Sequence, residues 1–338
     1  MKNKIYIISN EIFYFNGKNF FCDNIDLKTI PEEFNKFSEV HLLARKSNSP
    51  RSKKVNIDNI ATSKNIFAYL LEIFKSLKYK NTQYLIISIS PFTFMASLIL
   101  KIFLKKHFIY LRSNGFEEYK AIFGVLGPLI YGLMFYLGVL NSNLISCRNH
   151  ILKNKKGSVV HPSQINERWL NNRVKVSIDK IKLLYVGRIR VEKGIFSLLE
   201  ILKNTNLNLS IITSEKDIKM KSPSENINIT SFENYEDSII KFYDENNIFI
   251  LPSFTEGHPQ VLDEALARHR PVIIFEEISH VSRDRKGIFV SKRNINSLNE
   301  TLSHIKSNYE RIVEDIKTNK LPTKKSFMLE LKKIIFEE

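Results

Sequence analysis

The sequence predicts an α/β protein built from two doubly wound domains, and three observations lead there. Short apolar runs alternate with helical stretches along all 338 residues. The runs are apolar on both faces, as parallel strands covered by helices on either side must be. The chain is long for one core and comfortable for two of roughly 150–170 residues each.

In the amino half the strand candidates are KIYIIS (4–9), EVHLLA (39–44), YLIISIS (84–90), HFIYLRS (107–113) and NLISC (143–147). In the carboxy half they are IKLLYVG (181–187), NLSIIT (208–213), NIFILPS (247–253), PVIIF (271–275) and GIFVS (287–291). Between the halves, HPSQINERWLNNRVKVSIDK (161–180) carries Pro162, many polar residues and no periodicity, which marks a boundary. The expected organisation is therefore a first Rossmann-like domain over 1–165 and a second over 166–320. A carboxy-terminal helix within 321–338 is expected to pack back on the first.

Composition narrows the function classes. With 43% hydrophobic residues and 24 Phe, the chain can bury real cores, which argues against wholesale disorder. Its two cysteines, Cys22 and Cys147, provide neither a disulfide framework nor metal-ligand spacing and fit a reducing compartment. The start, MKNKIYIISNEIFYF, has its apolar run cut by Glu11 and no small-residue cleavage site after it, so a secretory signal is not expected. The net charge of +16 is unevenly placed: residues 1–160 hold 23 Lys/Arg against 10 Asp/Glu, and the remainder hold 28 against 25. A basic amino half suits an anionic lipid surface, an acidic acceptor or nucleic acid, although scattered lysines also make an ordinary solvated face.

One stretch stands apart. No charged residue occurs from Ala121 to Cys147, and AIFGVLGPLIYGLMFYLGVL (121–140) is long enough to span a bilayer. Gly124, Gly127, Pro128, Gly132 and Gly138 weaken it as a straight helix, and a span here would separate strands of one sheet across the membrane. Two readings remain, a loop-broken core helix and a helix half-sunk in a membrane face. Lys101, Lys105 and Lys106, set among large apolar residues in SLILKIFLKKHF (97–108), lean toward the membrane.

The chemistry concentrates in two segments of the carboxy half. In FTEGHPQVLDEALARHRPVIIF (254–275) a strand ends at Ser253, a loop carries Glu256, and a helix beginning at Gln260 carries Glu264 about one turn in. Ligands of open α/β sheets bind beyond the carboxyl ends of strands, and the free N–H groups of a helix start attract anions. Carboxylates repel phosphate, so Glu256 and Glu264 are suited to hydroxyls of a sugar or ribose. The cations for a phosphate lie upstream in LLYVGRIRVEKGIFSLLEIL (183–202), where Arg188 follows the strand and Lys193 and Gly194 open the next helix. Arginine grips phosphate oxygens as a fork and lysine as a point charge, a pairing that suits a diphosphate.

VGRIRVEKG together with PSFTEGHPQVLDEALARHRPVI resembles the signature of the family 4 glycosyltransferases of GT-B fold. That family carries a Gly-Arg…Lys-Gly diphosphate site and a Glu-x7-Glu element followed by Pro-Val-Ile. The resemblance covers residues 183–275; the amino half is similar only in fold pattern and position. It implies a GT-B architecture, two Rossmann-like domains facing a central cleft. It also implies a retaining, metal-independent transfer of a sugar from a nucleotide diphosphate sugar, with UDP or GDP as carrier and no cofactor. Carried over, Arg188 and Lys193 neutralise the diphosphate, Glu256 faces the donor sugar and Glu264 holds the ribose hydroxyls. The amides of Gly257 and His258 contact the sugar, those of Gln260, Val261 and Leu262 contact the phosphates, and Phe232 lies near the base. No Asp-x-Asp motif occurs, which disfavours the metal-dependent alternative fold.

The departures from the family concern histidines and the acceptor side. His258 stands where an apolar or aromatic residue is usual, and His269 where glycine often precedes Pro-Val-Ile. The family's amino domain often has a Gly-rich turn after strand one and a histidine after a later strand. Here FNGKNF (15–20) offers only Gly17 with Lys18, and LRSNGFEEY (111–119) offers Arg112, Ser113 and Asn114 without histidine. Gly17, Lys18, Arg112 and Asn114 are the acceptor-side candidates. Arg112 either binds an acidic acceptor or pairs with Glu117 or Glu118.

The leading expectation is a bacterial surface-polysaccharide enzyme of the lipopolysaccharide or capsule type. It would act on a glycan or lipid-linked acceptor, as a peripheral protein on the cytoplasmic face of the inner membrane. A GT-B-like nucleotide-sugar epimerase would need carboxylates and a histidine on both sides of the cleft. A nucleic-acid-binding protein would need a helix-turn-helix or an aromatic-rich sheet, and neither is visible. Nucleotide dehydrogenases fare poorly as well, because no Gly-x-Gly-x-x-Gly follows a strand.

Overall fold

The computed structural model describes residues 3–79, 81–213, 224–231 and 235–337; Phe232 lies outside the described residues. The chain divides into two compact units, Met1–His161 with Ser326–Glu338, and Pro162–Lys325.

The first unit carries a nine-stranded sheet. Its strands are β1 (Asn3–Phe15), β2 (Phe20–Cys22), β3 (Ser38–Ser47), β4 (Lys53–Val55), β5 (Asn59–Ser63), β6 (Thr82–Ile87), β7 (His107–Leu111), β8 (Asn143–Ser146) and β9 (Gly157–Val159). Its parallel part runs β5-β3-β1-β6-β7-β8-β9, a doubly wound order. All five strands expected in this half are present. The expected run 4–9 continues past Glu11, because a register irregularity between Ile8 and Ile12 re-aims β1 into an antiparallel pairing with β2. FNGKNF is therefore the turn of a β-hairpin. Asn16 Oδ1 accepts from the amides of Lys18 and Asn19, and Gly17 sits at φ +93°, which a side chain would strain.

The uncharged stretch is broken as its glycines suggest. Helix Gly115–Phe123 ends at Gly124 (φ +60°), a 3-10 turn follows, and helix Gly127–Gly138 resumes. Gly127 has no room for a side chain, since a Cβ there would lie 1.9 Å from the carbonyl of Tyr119. One face is core: Tyr131, Met134 and Phe135 are buried. The other is apolar and exposed, with Ile122, Val125, Leu126, Leu129 and Leu133 more than half uncovered, Val125 by 87%. Ile102, Phe103 and Leu104 are also exposed. The final helix, Lys324–Phe336, contributes Phe327, Leu331 and Ile335 to the core beneath β1, β3 and β7.

The second unit holds β10 (Lys182–Val186), β11 (Asn208–Thr213), β12 (Ile227–Ser231), β13 (Ile248–Leu251), β14 (Val272–Phe275) and β15 (Ile288–Ser291). They form an all-parallel sheet in the order β12-β11-β10-β13-β14-β15. The order reverses between β10 and β13, so the loops after these two strands flank the switch point where open α/β sheets bind ligands. The boundary falls at the start of the segment 161–180, and from Pro162 onward that segment is part of this unit. Trp169, on the short helix Glu167–Leu170, is buried against Tyr243 with ring centroids 5.4 Å apart.

Candidate active site

Both motif segments lie at the carboxyl end of the second sheet, after β10 and β13, and they are stitched together. Beyond β10 the amide of Gly187 donates to Ile212 O, and the Tyr185 hydroxyl donates to Arg188 O at 2.7 Å. These contacts present Arg188 in the turn with its side chain exposed and in no ion pair among the described residues. A 3-10 turn over Val191–Lys193 then ends at Gly194 in the left-handed region, φ +66°. A Cβ at Gly194 would lie 1.8 Å from Pro252 O, so the Lys-Gly turn can press against the end of β13 only as glycine. The amide of Phe254 donates to Glu192 O at 3.0 Å, closing the second seam.

This packing brings two of the expected residues into direct contact. Lys193 Nζ is 2.6 Å from Glu256 Oε1, and the same oxygen accepts from Ser253 Oγ at 2.7 Å. The Glu256 side chain is only 10% exposed, so a neighbouring cation and a hydroxyl make its charge tolerable. His280, from the 3-10 segment Glu276–Val281, donates through Nε2 to Glu256 O at 3.0 Å.

The helix Gln260–Ala267 begins after Pro259 with no side-chain cap, and the amide expected from Leu262 for a phosphate instead donates to Pro259 O at 3.1 Å, as the first helical turn closes on itself. Gln260 and Val261 are half-buried at this start, and Leu262 is fully buried in the core. One expected contact looks different in the structure. Glu264 is fully buried and accepts from the Tyr243 hydroxyl at 3.0 Å, rather than reaching openly from the helix. His258 turns inward: its side chain is 4% exposed, Nε2 donates to Pro162 O at 2.8 Å, and Asp263, itself paired with Arg285, lies 3.5 Å away. Only the backbone of His258 remains placed for a ligand beside Gly257.

His269 is the helix-end residue its position suggested. It takes φ +59°, with its amide on Leu266 O and that of Arg270 on Ala265 O, a Schellman closure in which glycine is the unstrained choice. Burial, with repulsion from Arg173, Lys317, Arg270 and Arg268, pulls its imidazole down to about 4.

The acceptor-side candidates are not brought together by any contact among the described residues. Gly17 and Lys18 sit on the exposed hairpin turn. Arg112 is paired with Asp26 (3.2 Å) and lies 3.9 Å from Glu11, not with Glu117 or Glu118. Two carboxylates thus neutralise it, which speaks against a free cation for an acidic acceptor. Asn114 caps no helix amide through its side chain and donates instead to Glu117 at 2.7 Å.

Several contributors escaped the sequence reading. Arg293, after β15, donates to Pro252 O (2.9 Å) and Ser253 O (3.3 Å) while gripping Glu277. Arg268, fully buried, holds Asp244 in a two-toothed contact (2.9 and 2.8 Å) and donates to the carbonyls of Trp169, Asn171 and Asn172. Arginines in a sequence read as surface charge until the fold closes over them. Among the described residues no group of three or more His, Cys, Asp or Glu is placed to hold a metal ion.

The fold is that of GT-B glycosyltransferases. Sucrose-phosphate synthase from Thermosynechococcus elongatus superposes with a TM-score of 0.71 at 13% identity, over 98% of each chain. WaaG, a glycosyltransferase involved in lipopolysaccharide biosynthesis, superposes at 0.66 and 14%, over 98% of this chain and all of its own. The catalytic domain of starch synthase IV from Arabidopsis thaliana, bound to ADP and acarbose, superposes at 0.60 and 11%, over 100% and 99%. No curated protein matches the sequence. Residues 168–320, which include Arg188, Lys193, Glu256 and Glu264, match the family model glycosyl transferases group 1.

Proposed function

We propose that the protein is a retaining glycosyltransferase that takes a sugar from a UDP- or GDP-sugar without a metal ion and delivers it to a hydroxyl of a glycan or lipid-linked acceptor. The observation that carries this reading is the Lys193–Glu256–Ser253 cluster, with the exposed Arg188 in the turn that leads to Lys193 and helix Gln260–Ala267 starting just after Glu256. In the reaction the bond between the anomeric carbon and the diphosphate oxygen breaks, and the leaving diphosphate keeps the electron pair. The acceptor oxygen bonds to the anomeric carbon and passes its proton to the departing diphosphate oxygen. Negative charge grows on the diphosphate as the sugar departs, and preorganised cations and helix amides stabilise such charge strongly. Arg188 and Lys193 take that role here, with the amides of Gln260 and Val261, so the charge that a metal would neutralise has protein partners. Glu256 faces the sugar with the backbone of Gly257 and His258. Glu264 holds the ribose once its carboxylate is uncovered. Support from other proteins comes from a neighbour solved with UDP and DNA and from the starch synthase bound to ADP.

The acceptor and location belong to the same reading. The first unit places an apolar helical face, Ile122 to Leu133, near the basic run Lys101, Lys105 and Lys106 in sequence. Exposed apolar surface flanked by lysines suits an anionic bilayer, each lysine near the surface contributing on the order of 1 kcal/mol. A peripheral enzyme on the inner face of the cytoplasmic membrane, building lipopolysaccharide or capsule, would meet its lipid-linked acceptor there. No nucleic-acid partner is part of this reading. Nucleotide release from a panel of UDP- and GDP-sugars in the presence of a metal chelator tests the donor half. Turnover by the wild type that is lost in Glu256→Gln supports it; no turnover, or turnover only with divalent cations, refutes it.

A further inference from the structure

We propose that Arg293 is a positioning residue for the transfer step, acting through the backbone of Pro252 and Ser253 to hold the Glu256 carboxylate in place. Its guanidinium is used on every side. Nε and Nη2 donate to the two oxygens of Glu277 at 2.7 and 3.1 Å. Nη1 donates to Pro252 O at 2.9 Å and Nη2 to Ser253 O at 3.3 Å. Its plane lies 4.1 Å from the Phe254 ring centroid and 4.4 Å from that of Phe275. Arginine's planar fork makes such an arrangement rigid, and lysine cannot reproduce it.

What this grip controls follows from the chain order. Pro252 and Ser253 follow β13 directly, Ser253 Oγ donates to Glu256 Oε1, and Phe254 N donates to Glu192 O. A Cβ at Gly194 would also lie 3.2 Å from Arg293 Nη1, so the arginine stands where the Lys-Gly turn meets the strand end. The turn itself is held by its own bonds, Lys193 N to Arg190 O and Gly194 N to Val191 O. Loosening Arg293 therefore disturbs the Ser253–Glu256 side more than the turn that carries the diphosphate cation. A shift of an ångström in a reacting group costs rate without an equal cost in affinity.

This inference rests on the proposed transfer reaction, and the experiment separates the two. Nucleotide release is followed for the wild type, Arg293→Lys and Arg293→Ala on whichever UDP- or GDP-sugar the wild type turns over, with melting temperature and UDP or GDP affinity for each. The expected result is a kcat lowered about tenfold or more in both variants, nucleotide affinity within about threefold of wild type, and partial recovery of Arg293→Ala by added guanidinium. Unchanged kcat in both variants overturns the positioning role while leaving the transfer reaction standing. So does a joint fall of kcat, affinity and melting temperature without guanidinium recovery, which marks a purely structural arginine. A wild type that turns over no nucleotide sugar overturns the reaction and this role together.

Discussion

Lys193 and Glu256, 63 residues apart in sequence, meet at 2.6 Å because Gly194 lets the turn after β10 press against the carbonyl that directly follows β13. The ion pair holds a nearly buried carboxylate, and in the proposed reaction its lysine neutralises the leaving diphosphate. Lys193→Met removes both effects. Turnover is expected to fall about 100-fold or more, and nucleotide affinity is expected to weaken as well. Steady-state kinetics on a UDP- or GDP-sugar check this; a variant with kcat near wild type would remove Lys193 from the mechanism.

Glu256 and Glu264 are predicted to divide their effects. Glu256→Gln keeps a hydrogen-bonding group for Lys193 and Ser253, so it should lower kcat far more than nucleotide affinity. Glu264→Ala should weaken nucleotide binding, and it also removes an acceptor from the buried Tyr243 hydroxyl, at a stability cost of about 1–3 kcal/mol. Calorimetric nucleotide binding and denaturant unfolding distinguish these; a Glu264→Ala protein of unaltered affinity contradicts the ribose role.

Stability should depend on pH through His269. Its folded-state imidazole is lowered to about 4 from an ordinary 6.5, so the unfolded chain binds the proton first as pH falls. The contribution is present above pH 6.5 and is lost progressively between 6.5 and 4. His269→Gly removes this slope and relieves the left-handed strain, with an expected gain of about 0.5–1 kcal/mol at neutral pH. Urea unfolding across that pH range checks both parts; a less stable glycine variant with the same pH slope contradicts them.

Arg268 gives a structural prediction. Arg268→Ala leaves Asp244 with only the longer contact from Arg270, at 3.5 Å, and takes from the carbonyls of Trp169, Asn171 and Asn172 the donor that Arg268 supplies. A loss of about 3–5 kcal/mol is expected, large enough to unfold a marginal domain. Thermal unfolding followed by Trp169 fluorescence would report it, since Trp169 is the chain's only tryptophan.

The apolar face of the first unit predicts binding to vesicles rich in anionic lipid that high salt only partly releases. Charge attraction is screened, whereas burial of Val125, Leu129 and Leu133 is not. Replacing Val125 and Leu133 by Glu should abolish the salt-resistant part in flotation. Equal binding by this double variant would leave the face without a membrane role.

Much of the scaffold was legible in the sequence because it rests on local pattern. All ten strands expected from apolar runs exist, since parallel strands buried on both faces advertise themselves. The strands that escaped are short, polar or at an edge, as in NIATS (59–63) and INITS (227–231), where a single neighbour supplies the pairing. The glycines of 121–140 announced the break at Gly124, whereas Gly194 reads from the sequence as the opening of a helix, with nothing to show its left-handed turn against Pro252. Long-range polar contacts were not legible. Neither the inward turn of His258 onto Pro162, nor Tyr243 over Glu264, nor Arg293 on Pro252 leaves any periodic trace.

The most direct test of the account is nucleotide binding in a metal chelator. Titration calorimetry with UDP and GDP would compare the wild type with a protein carrying Arg188→Ala and Lys193→Ala. The account predicts that one nucleotide binds the wild type without divalent cations and that the double variant loses at least tenfold in affinity. Binding of neither nucleotide, binding only with added divalent cations, or equal binding by the double variant would contradict it.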